Sequence, residues 1–221
     1  MEQFSHIKTH KIMSMETEKK ERIINAALIE FCKGYKQAST DVIVKKAGIS
    51  KGLLFHYFAT KKELLTFLYA YAMEKLMAEY IGKINLKEPD LLKRLQKMCI
   101  IKMEMLYKNP AIFDFIIAIF LNKEEEFSDL QEQSITTYQL TWHTESQLFA
   151  NIDYNLFKED IDAKTAIEII RHTFTGYSET VIQQYKTQVE TIQVKENKEQ
   201  IDKVLEQTKK YMDFFEKIFY K

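Results

Sequence analysis

Residues 47–58 have the sequence AGISKGLLFHYF, in which a glycine separates the end of one helical pattern from the start of another. Gly48 can adopt the left-handed conformation that ends a helix, and the hydroxyl of Ser50 can cap the next helix by accepting a backbone N–H. Such a short turn lets two helices cross steeply, so that the second can enter the major groove of DNA. The stretch therefore predicts a helix-turn-helix.

The residues around this turn resemble a known family. The pattern runs from about Ile23 to Leu65 and includes AGISKG at residues 47–52, LFHYF at 54–58 and KKEL at 61–64. It resembles the DNA-binding head of the bacterial TetR-type transcriptional repressors. Two departures stand out: the segment between Phe31 and Ala38 is one residue short, and Phe55 stands where relatives commonly carry a tyrosine.

Composition favours the same architecture. Five glycines and two prolines are few for 221 residues, and this scarcity is typical of long helices joined by short connections. We expect an all-α fold of about nine helices, in which a three-helix helix-turn-helix head precedes a larger C-terminal helical body. The expected divisions are a disordered arm over residues 1–15, a DNA-binding head over 16–62, and an effector-binding and dimerisation body over 63–221.

Charge is distributed unevenly along a chain whose net charge is zero. Residues 1–65 contain 12 Lys and Arg against 7 Asp and Glu, a net charge of +5, and the remainder carries −5. A basic head on an acidic body is expected if only the head faces phosphate, although solvated helices often carry a similar excess.

The DNA-contacting residues are expected at the starts of the helices and on the outer face of the recognition helix. Leu54 and Phe58 should anchor that helix, while Lys51 meets a guanine, Gly52 allows close backbone approach and Leu53 meets a thymine methyl. The full set of expected contacts is Ser39, Thr40, Ser50, Lys51, Gly52, Leu53, Phe55, His56, Tyr57 and Lys61.

Several of these contacts have a structural alternative. A capped helix N-terminus binds phosphate, but Ser39 and Thr40 could be caps alone. His56 and Tyr57 resemble the backbone-contacting pair of the family, but His56 could equally be a structural histidine. Lys61 follows Thr60 in a capping box closed by Glu63, where its charge and the helix dipole both favour phosphate.

The body offers aromatic, methionine and cationic side chains for a small-molecule pocket, most of which are expected to be core. The candidates are Met103, Tyr107, Phe113, Phe120, Tyr138, Trp142, His143, Arg171, His172, Phe174 and Tyr177. We expect a largely apolar effector, with an acidic group that meets Arg171 unless Arg171 lies on the surface. The last two helices have apolar stripes wide enough for a homodimer interface, as the resemblance implies, or for closing a single body.

Other chemistry is not indicated by the residues. The five histidines show no metal-ligand spacing and no glycine-rich phosphate loop is present, so we expect no enzyme, metal or cofactor. Cys32 and Cys99 are expected to be reduced and buried. The N-terminus lacks a secretory pattern, and the longest apolar run, residues 111–121, is shorter than the ~20 residues of a membrane span, so we expect a cytoplasmic protein without a membrane partner.

The expected function is a sequence-specific repressor that binds a double-stranded DNA operator as a homodimer and is released by a small molecule. Two alternatives remain open. One is a DNA-binding regulator that has no small-molecule ligand and acts through a protein partner. The other is a small-molecule-binding protein with a non-functional head.

Overall fold

The structure is a computed structural model, and it describes residues 6–133, 148–189 and 197–221. Within these ranges the chain forms α-helices and short 3-10 turns, with one isolated bridge between Phe157 and Tyr220. The all-α fold predicted from the sequence is confirmed. The α-helices are α1 (His6–Thr9), α2 (Thr17–Phe31), α3 (Thr40–Ala47), α4 (Lys51–Tyr57), α5 (Lys61–Glu79), α6 (Leu91–Lys108), α7 (Pro110–Leu121), α8 (residues 125–133), α9 (Ala163–Val189) and α10 (Asn197–Phe219).

The chain divides into two compact units. The first comprises Met1–Glu79 and Asn109–Tyr138, and the second comprises Tyr80–Lys108 and Gln139–Lys221. Helices α7 and α8 therefore belong to the same unit as the helix-turn-helix. The expected boundary between head and body after residue 62 stays a prediction.

The core of the first unit follows from the apolar spacing of α2. Side chains three to four residues apart lie on one helix face, and those on this face of α2 are buried: Ile23, Ile24, Ala27, Leu28 and Phe31. Helix α2 packs against α3, α5 and α7. The helix that begins at Lys61 ends at Glu79 and is followed by a 3-10 turn at Ile81–Lys83.

A glycine turn follows α2 and contacts the segment after α7. Gly34 has a φ of 100°, and a Cβ built on it would lie 2.8 Å from the side-chain nitrogen of Asn122. The carboxylate of Glu124 accepts a hydrogen bond from the backbone N–H of Lys36 at 3.2 Å. Both the positive φ and the close approach require glycine at this position.

The N-terminal stretch differs from the disordered arm that the sequence predicts. Within its described part, α1 and a 3-10 turn at Lys11–Ser14 are formed. Ile7 and Ile12 are fully buried. These two buried side chains fix the stretch on the first unit. Two apolar residues are too few to form a helical periodicity in the sequence, which is why the sequence does not reveal this contact.

The second unit has its own core, in which α6 packs against α10. Near the start of α6, the buried guanidinium of Arg94 donates hydrogen bonds to the backbone carbonyls of Glu88, Leu148 and Ala150. The Tyr220 hydroxyl, near the C-terminus, donates to Asp90 at 3.2 Å. Burial raises the pKa of Tyr220, so this hydroxyl stays protonated even at alkaline pH.

Asp162 caps the start of α9. The Asp162 carboxylate accepts hydrogen bonds from the backbone N–H groups of Lys164 and Thr165, at 3.4 and 3.3 Å. The hydrogen bond from the Thr165 hydroxyl, followed by these two backbone bonds, lowers the pKa of Asp162. Among the described residues, none of the helices has the length and apolar character needed to cross a bilayer.

Candidate nucleic-acid interface

The turn between α3 and α4 has the geometry that the sequence predicts. Gly48 ends α3 with φ 66° and ψ 40°, which is left-handed backbone, and the N–H of Ile49 donates back to the Val44 carbonyl at 3.0 Å. The Ser50 hydroxyl accepts a hydrogen bond from the N–H of Leu53 at 3.1 Å and so caps α4. Both of these hydrogen bonds are formed between the connection and the two helices that it joins.

Helix α4 buries one face and exposes the other. Leu54 and Phe58 are each only 1% exposed, which confirms that they anchor the helix. On the opposite side the exposed residues are Lys51, Gly52, Phe55 and His56, whereas Leu53 and Tyr57 are half-buried. The exposed face of this short helix thus presents an ammonium group, a backbone without a side chain and two aromatic rings. These groups are suited to contact base edges in a DNA groove and the phosphates beside it.

The exposed cation of this face is paired within the helix-turn-helix. The Lys51 ammonium lies 2.8 Å from a carboxylate oxygen of Asp41, in the first turn of α3. Both side chains are more than half exposed, at 52% and 72%. Because solvent-exposed ion pairs contribute little free energy, about 0–1 kcal/mol, this pair can open when DNA approaches.

The start of α3 is held by a buried carboxylate that the sequence reasoning missed. Ser39 caps α3 by accepting from the N–H of Val42 at 3.4 Å, and its own N–H donates to Glu30 at 3.3 Å. Glu30 is 1% exposed and is paired with the Lys33 ammonium at 2.8 Å. Its position in the apolar stripe of α2 is the signal that could have revealed it, since a carboxylate there must find a partner.

Lys61 occupies a different environment from the one expected. Its half-buried ammonium donates to the backbone carbonyl of Tyr35, in the turn after α2, and lies 4.5 Å from the centre of the Tyr35 ring. The centre of the Phe31 ring, at the end of α2, lies 6.0 Å from the same ammonium. The structure therefore gives Lys61 a bond inside the first unit, where the sequence suggested a phosphate contact.

The capping box at the start of α5 is present with one change. The Thr60 hydroxyl accepts from the N–H of Glu63 at 3.0 Å, as expected. The Glu63 carboxylate accepts from the N–H of Ala59 at 2.7 Å, one residue before the expected donor. The box fixes where the chain leaves Phe58 and enters α5.

The candidate effector residues are dispersed. Met103 is buried, Phe113, Phe174 and Tyr177 are half-buried, and Tyr107, Phe120, Arg171 and His172 are exposed. Tyr138, Trp142 and His143 lie outside the described residues. Because Arg171 is on the surface of the described chain, the hypothesis that it meets an acidic effector group inside the body is wrong. A long charged side chain on a helix can keep its charged end in water, and this is more favourable than burying it without a partner.

A different polar cluster lies inside the second unit, between α6, α9 and α10. The Cys99 thiol and the Thr208 hydroxyl are 3.3 Å apart, and the rings of Tyr177 and Tyr211 meet edge to face at 5.3 Å. Lys102, one helical turn beyond Cys99, is half-buried and has no carboxylate partner within the described ranges. Desolvation lowers the pKa of its ammonium and raises the pKa of the Cys99 thiol.

Comparison with known proteins agrees with these features. The family model described as "Bacterial regulatory proteins, tetR family" matches residues 23–66, which cover α3, α4 and most of α2. A TetR family transcriptional regulator from Chloroflexus aurantiacus J-10-FL is similar in structure with a TM-score of 0.55 at 19% identity, over 95% of this chain and 97% of that chain.

Two further structures share the fold. Another TetR transcriptional regulator from Chloroflexus aurantiacus J-10-FL gives a TM-score of 0.54 at 16% identity, over 85% of this chain and 92% of that chain. TylP, a TetR regulator from Streptomyces fradiae, gives 0.51 at 15% identity, over 92% of this chain and 87% of that chain. Residues 23–66 of this protein thus match the tetR family of regulatory proteins, and the chain shares the fold of these regulators over most of its length.

Proposed function

We propose that the protein is a cytoplasmic, sequence-specific transcriptional repressor that binds a double-stranded DNA operator as a homodimer and is released by a small acidic effector. DNA binding is supported chiefly by the two faces of α4, one of which is buried while the other is exposed. Leu54 and Phe58 fix the helix to the first unit, and Lys51, Gly52 and His56 are left exposed on its outer side. A recognition helix needs this combination of rigid anchoring and an open reading face.

The homodimer is supported by apolar side chains that the second unit leaves in solvent. Ile169 on α9 is 45% exposed, and on α10 Phe214 is 57% and Ile218 is 37% exposed. Phe214 and Ile218 are four residues apart and so share one face of α10. We propose that α9 and α10 of two subunits pack together, so that the two heads meet half-sites about one helical turn, roughly 34–36 Å, apart.

We propose that the acidic group of the effector binds Lys102, since Arg171 lies on the surface. A partly desolvated ammonium without a carboxylate partner among the described residues is costly, and an acidic ligand would relieve that cost. The neighbouring Cys99, Tyr177 and Tyr211 would surround a mostly apolar ligand body. To switch the DNA-bound population ~10⁴-fold, such a ligand must prefer the released state by about 5.5 kcal/mol.

Selection of bound fragments from random DNA tests the DNA-binding part. The full-length protein should enrich a pseudo-palindromic sequence, and the Lys51→Ala variant should enrich a sequence with one relaxed position in each half-site. Absence of enrichment by the wild-type protein would refute operator binding and favour a small-molecule-binding protein with a non-functional head.

Repeating the selection with panels of acidic and neutral apolar compounds tests the effector part. Acidic compounds should release the wild-type protein and should fail to release Lys102→Met. Arg171→Met serves as the matched control and should respond like the wild type. If no compound of either panel releases the protein from DNA, the regulator that acts through a protein partner becomes the better interpretation.

A further inference from the structure

The N-terminal segment, residues 6–14, is folded onto the first unit next to the recognition helix. Ile7 and Ile12 are fully buried, and α1 contacts α5. The family match begins at residue 23 and so leaves this segment out. Its contacts therefore belong to this chain and are not implied by the helix-turn-helix pattern.

Lys11 in this segment contacts the end of α4. Its ammonium donates a hydrogen bond to the backbone carbonyl of His56 at 2.6 Å, across 45 residues of sequence. The last carbonyls of an α-helix have no partner within the helix, and a cation near them is favoured by the helix dipole. Helix α4 has only seven residues, a length that is not stable alone, so this contact supports a helix that depends on its surroundings.

His10 contacts the residue that ends α4. Its ring stacks on Phe58 with the ring centres 5.1 Å apart and the planes 16° apart, and it lies 4.7 Å from the ring of Phe67. The ring is oriented by the backbone N–H of Ile12, which donates to its Nδ1 at 3.3 Å. Because Phe58 anchors the C-terminal end of α4, His10 completes the aromatic cluster on which that end rests.

We propose that residues 6–14 form a clamp that positions the recognition helix, with Lys11 and His10 as its positioning residues. The inference rests on the proposed DNA-binding role of α4. Without the clamp the first unit keeps the core built on α2, α3 and α5, but the C-terminal turn of α4 loses its partners and frays. The reading face is then preorganised less well, and specific binding weakens while the protein stays folded.

The competing explanation is that Lys11 contacts a phosphate directly. A phosphate contact contributes to the dependence of affinity on salt, and losing one lowers the slope of log K against log salt by roughly 0.9. A positioning residue whose ammonium is committed to His56 leaves that slope unchanged. The two roles are therefore separable in one titration.

The experiment compares full-length wild type with Lys11→Met, His10→Ala and Lys11→Arg, with Lys87→Met as a control that removes an exposed lysine of the second unit. Hydrogen exchange is measured first, without DNA. Amides of residues 54–58 should exchange about tenfold faster in Lys11→Met, which loses one hydrogen bond from a charged group. They should also exchange several-fold faster in His10→Ala, which loses a stacked aromatic pair worth roughly 0.5–1.5 kcal/mol. The wild-type rate is expected in Lys11→Arg and Lys87→Met.

DNA affinity is measured next, on the sequence that the wild type selects. Lys11→Met should bind about tenfold more weakly with the wild-type salt slope and nearly the wild-type melting temperature. Unchanged exchange at residues 54–58 would overturn the clamp, and so would a slope lowered by roughly 0.9. If the wild type selects no DNA at all, the proposed function fails, whereas the exchange measurement still decides whether the clamp exists.

Discussion

The ammonium of Lys51 lies 2.8 Å from the carboxylate of Asp41, so the side chain expected to read a base is held within the helix-turn-helix by an ion pair. The pair joins the first turn of α3 to the first turn of α4. Any base contact by Lys51 must therefore compete with an intramolecular partner of opposite charge, and this competition sets the first prediction.

The Asp41→Asn variant should bind DNA more tightly than the wild type and with the same sequence preference. The change frees the ammonium of Lys51 and removes a negative charge near the DNA, while the free energy of unfolding should shift by no more than about 1 kcal/mol.

The Lys51→Ala variant should instead relax the sequence preference at one position, at a cost in binding free energy of about 1–3 kcal/mol. Titration of the selected operator and of its single-base variants measures both. Weaker binding by Asp41→Asn would mean that the carboxylate orients Lys51 for its contact.

The Gly52→Ala variant should be more stable than the wild type and bind DNA less well. Gly52 is exposed in the first turn of α4, and a Cβ there would have open space around it. Alanine in a helix is favoured over glycine by roughly 0.5–1 kcal/mol, so thermal unfolding should occur at a higher temperature. The added methyl group would, however, hold the backbone away from the groove.

Gly176→Ala is the matched control, because Gly176 is a helical glycine of the second unit that also has open space around it. It should raise the melting temperature by a similar amount, which shows that the stability gain comes from the helix propensity of alanine. Equal operator affinity for Gly52→Ala and the wild type would exclude close approach of the α4 backbone to DNA.

The Lys61→Met variant should lose stability, and the neighbouring Lys62→Met variant should not. Lys61 donates to the Tyr35 carbonyl and lies against the Tyr35 ring. The ammonium of Lys62 is exposed and forms a surface ion pair with Asp129 at 3.7 Å. The loss for Lys61→Met should be about 1.5–3 kcal/mol, typical of a hydrogen bond to a charged group. Urea unfolding of both variants checks this. A lowered salt slope with unchanged stability would instead restore Lys61 as a phosphate contact.

The Phe214→Ser variant should weaken the proposed homodimer without unfolding the subunit. Phe214 is 57% exposed on α10 and packs against Phe215, whose ring centre is 5.9 Å away. Removing this side chain should shift the monomer–dimer equilibrium in sedimentation analysis by at least tenfold, because buried aromatic anchors dominate interface energies. Tyr154→Ser removes a similarly exposed ring outside α9 and α10 and should leave the equilibrium unchanged. Identical behaviour of the two variants would argue for an interface elsewhere.

Local patterns in the sequence were sufficient for the helix-turn-helix. The left-handed Gly48, the Ser50 cap and the anchors Leu54 and Phe58 each depend on residues within one or two helical turns, and all four are found. The apolar spacing of α2 accounts for its buried face for the same reason. One expected local bond differs, because the Glu63 carboxylate accepts from the N–H of Ala59 and not from that of Thr60.

Contacts between distant segments could not be predicted in this way. Lys61 meets the Tyr35 carbonyl across 26 residues and Lys11 meets His56 across 45, and neither pairing leaves a periodic trace in the sequence. The burial of Arg94 and the exposure of Arg171 have the same origin, since the fate of a long cationic side chain depends on which carbonyls or carboxylates the tertiary fold brings near it.

The bond from Lys36 to Glu124 limits how freely the reading head could be transplanted. DNA-binding domains are often treated as cassettes, and cutting this chain after residue 62 would look reasonable from the sequence. Such a fragment would lose α7, which packs on α2, and the carboxylate that holds the Gly34 turn. A chimera that is to recognise this protein's operator must therefore carry residues 109–133 together with the helix-turn-helix, although more than a hundred positions in sequence separate the two ends of that module.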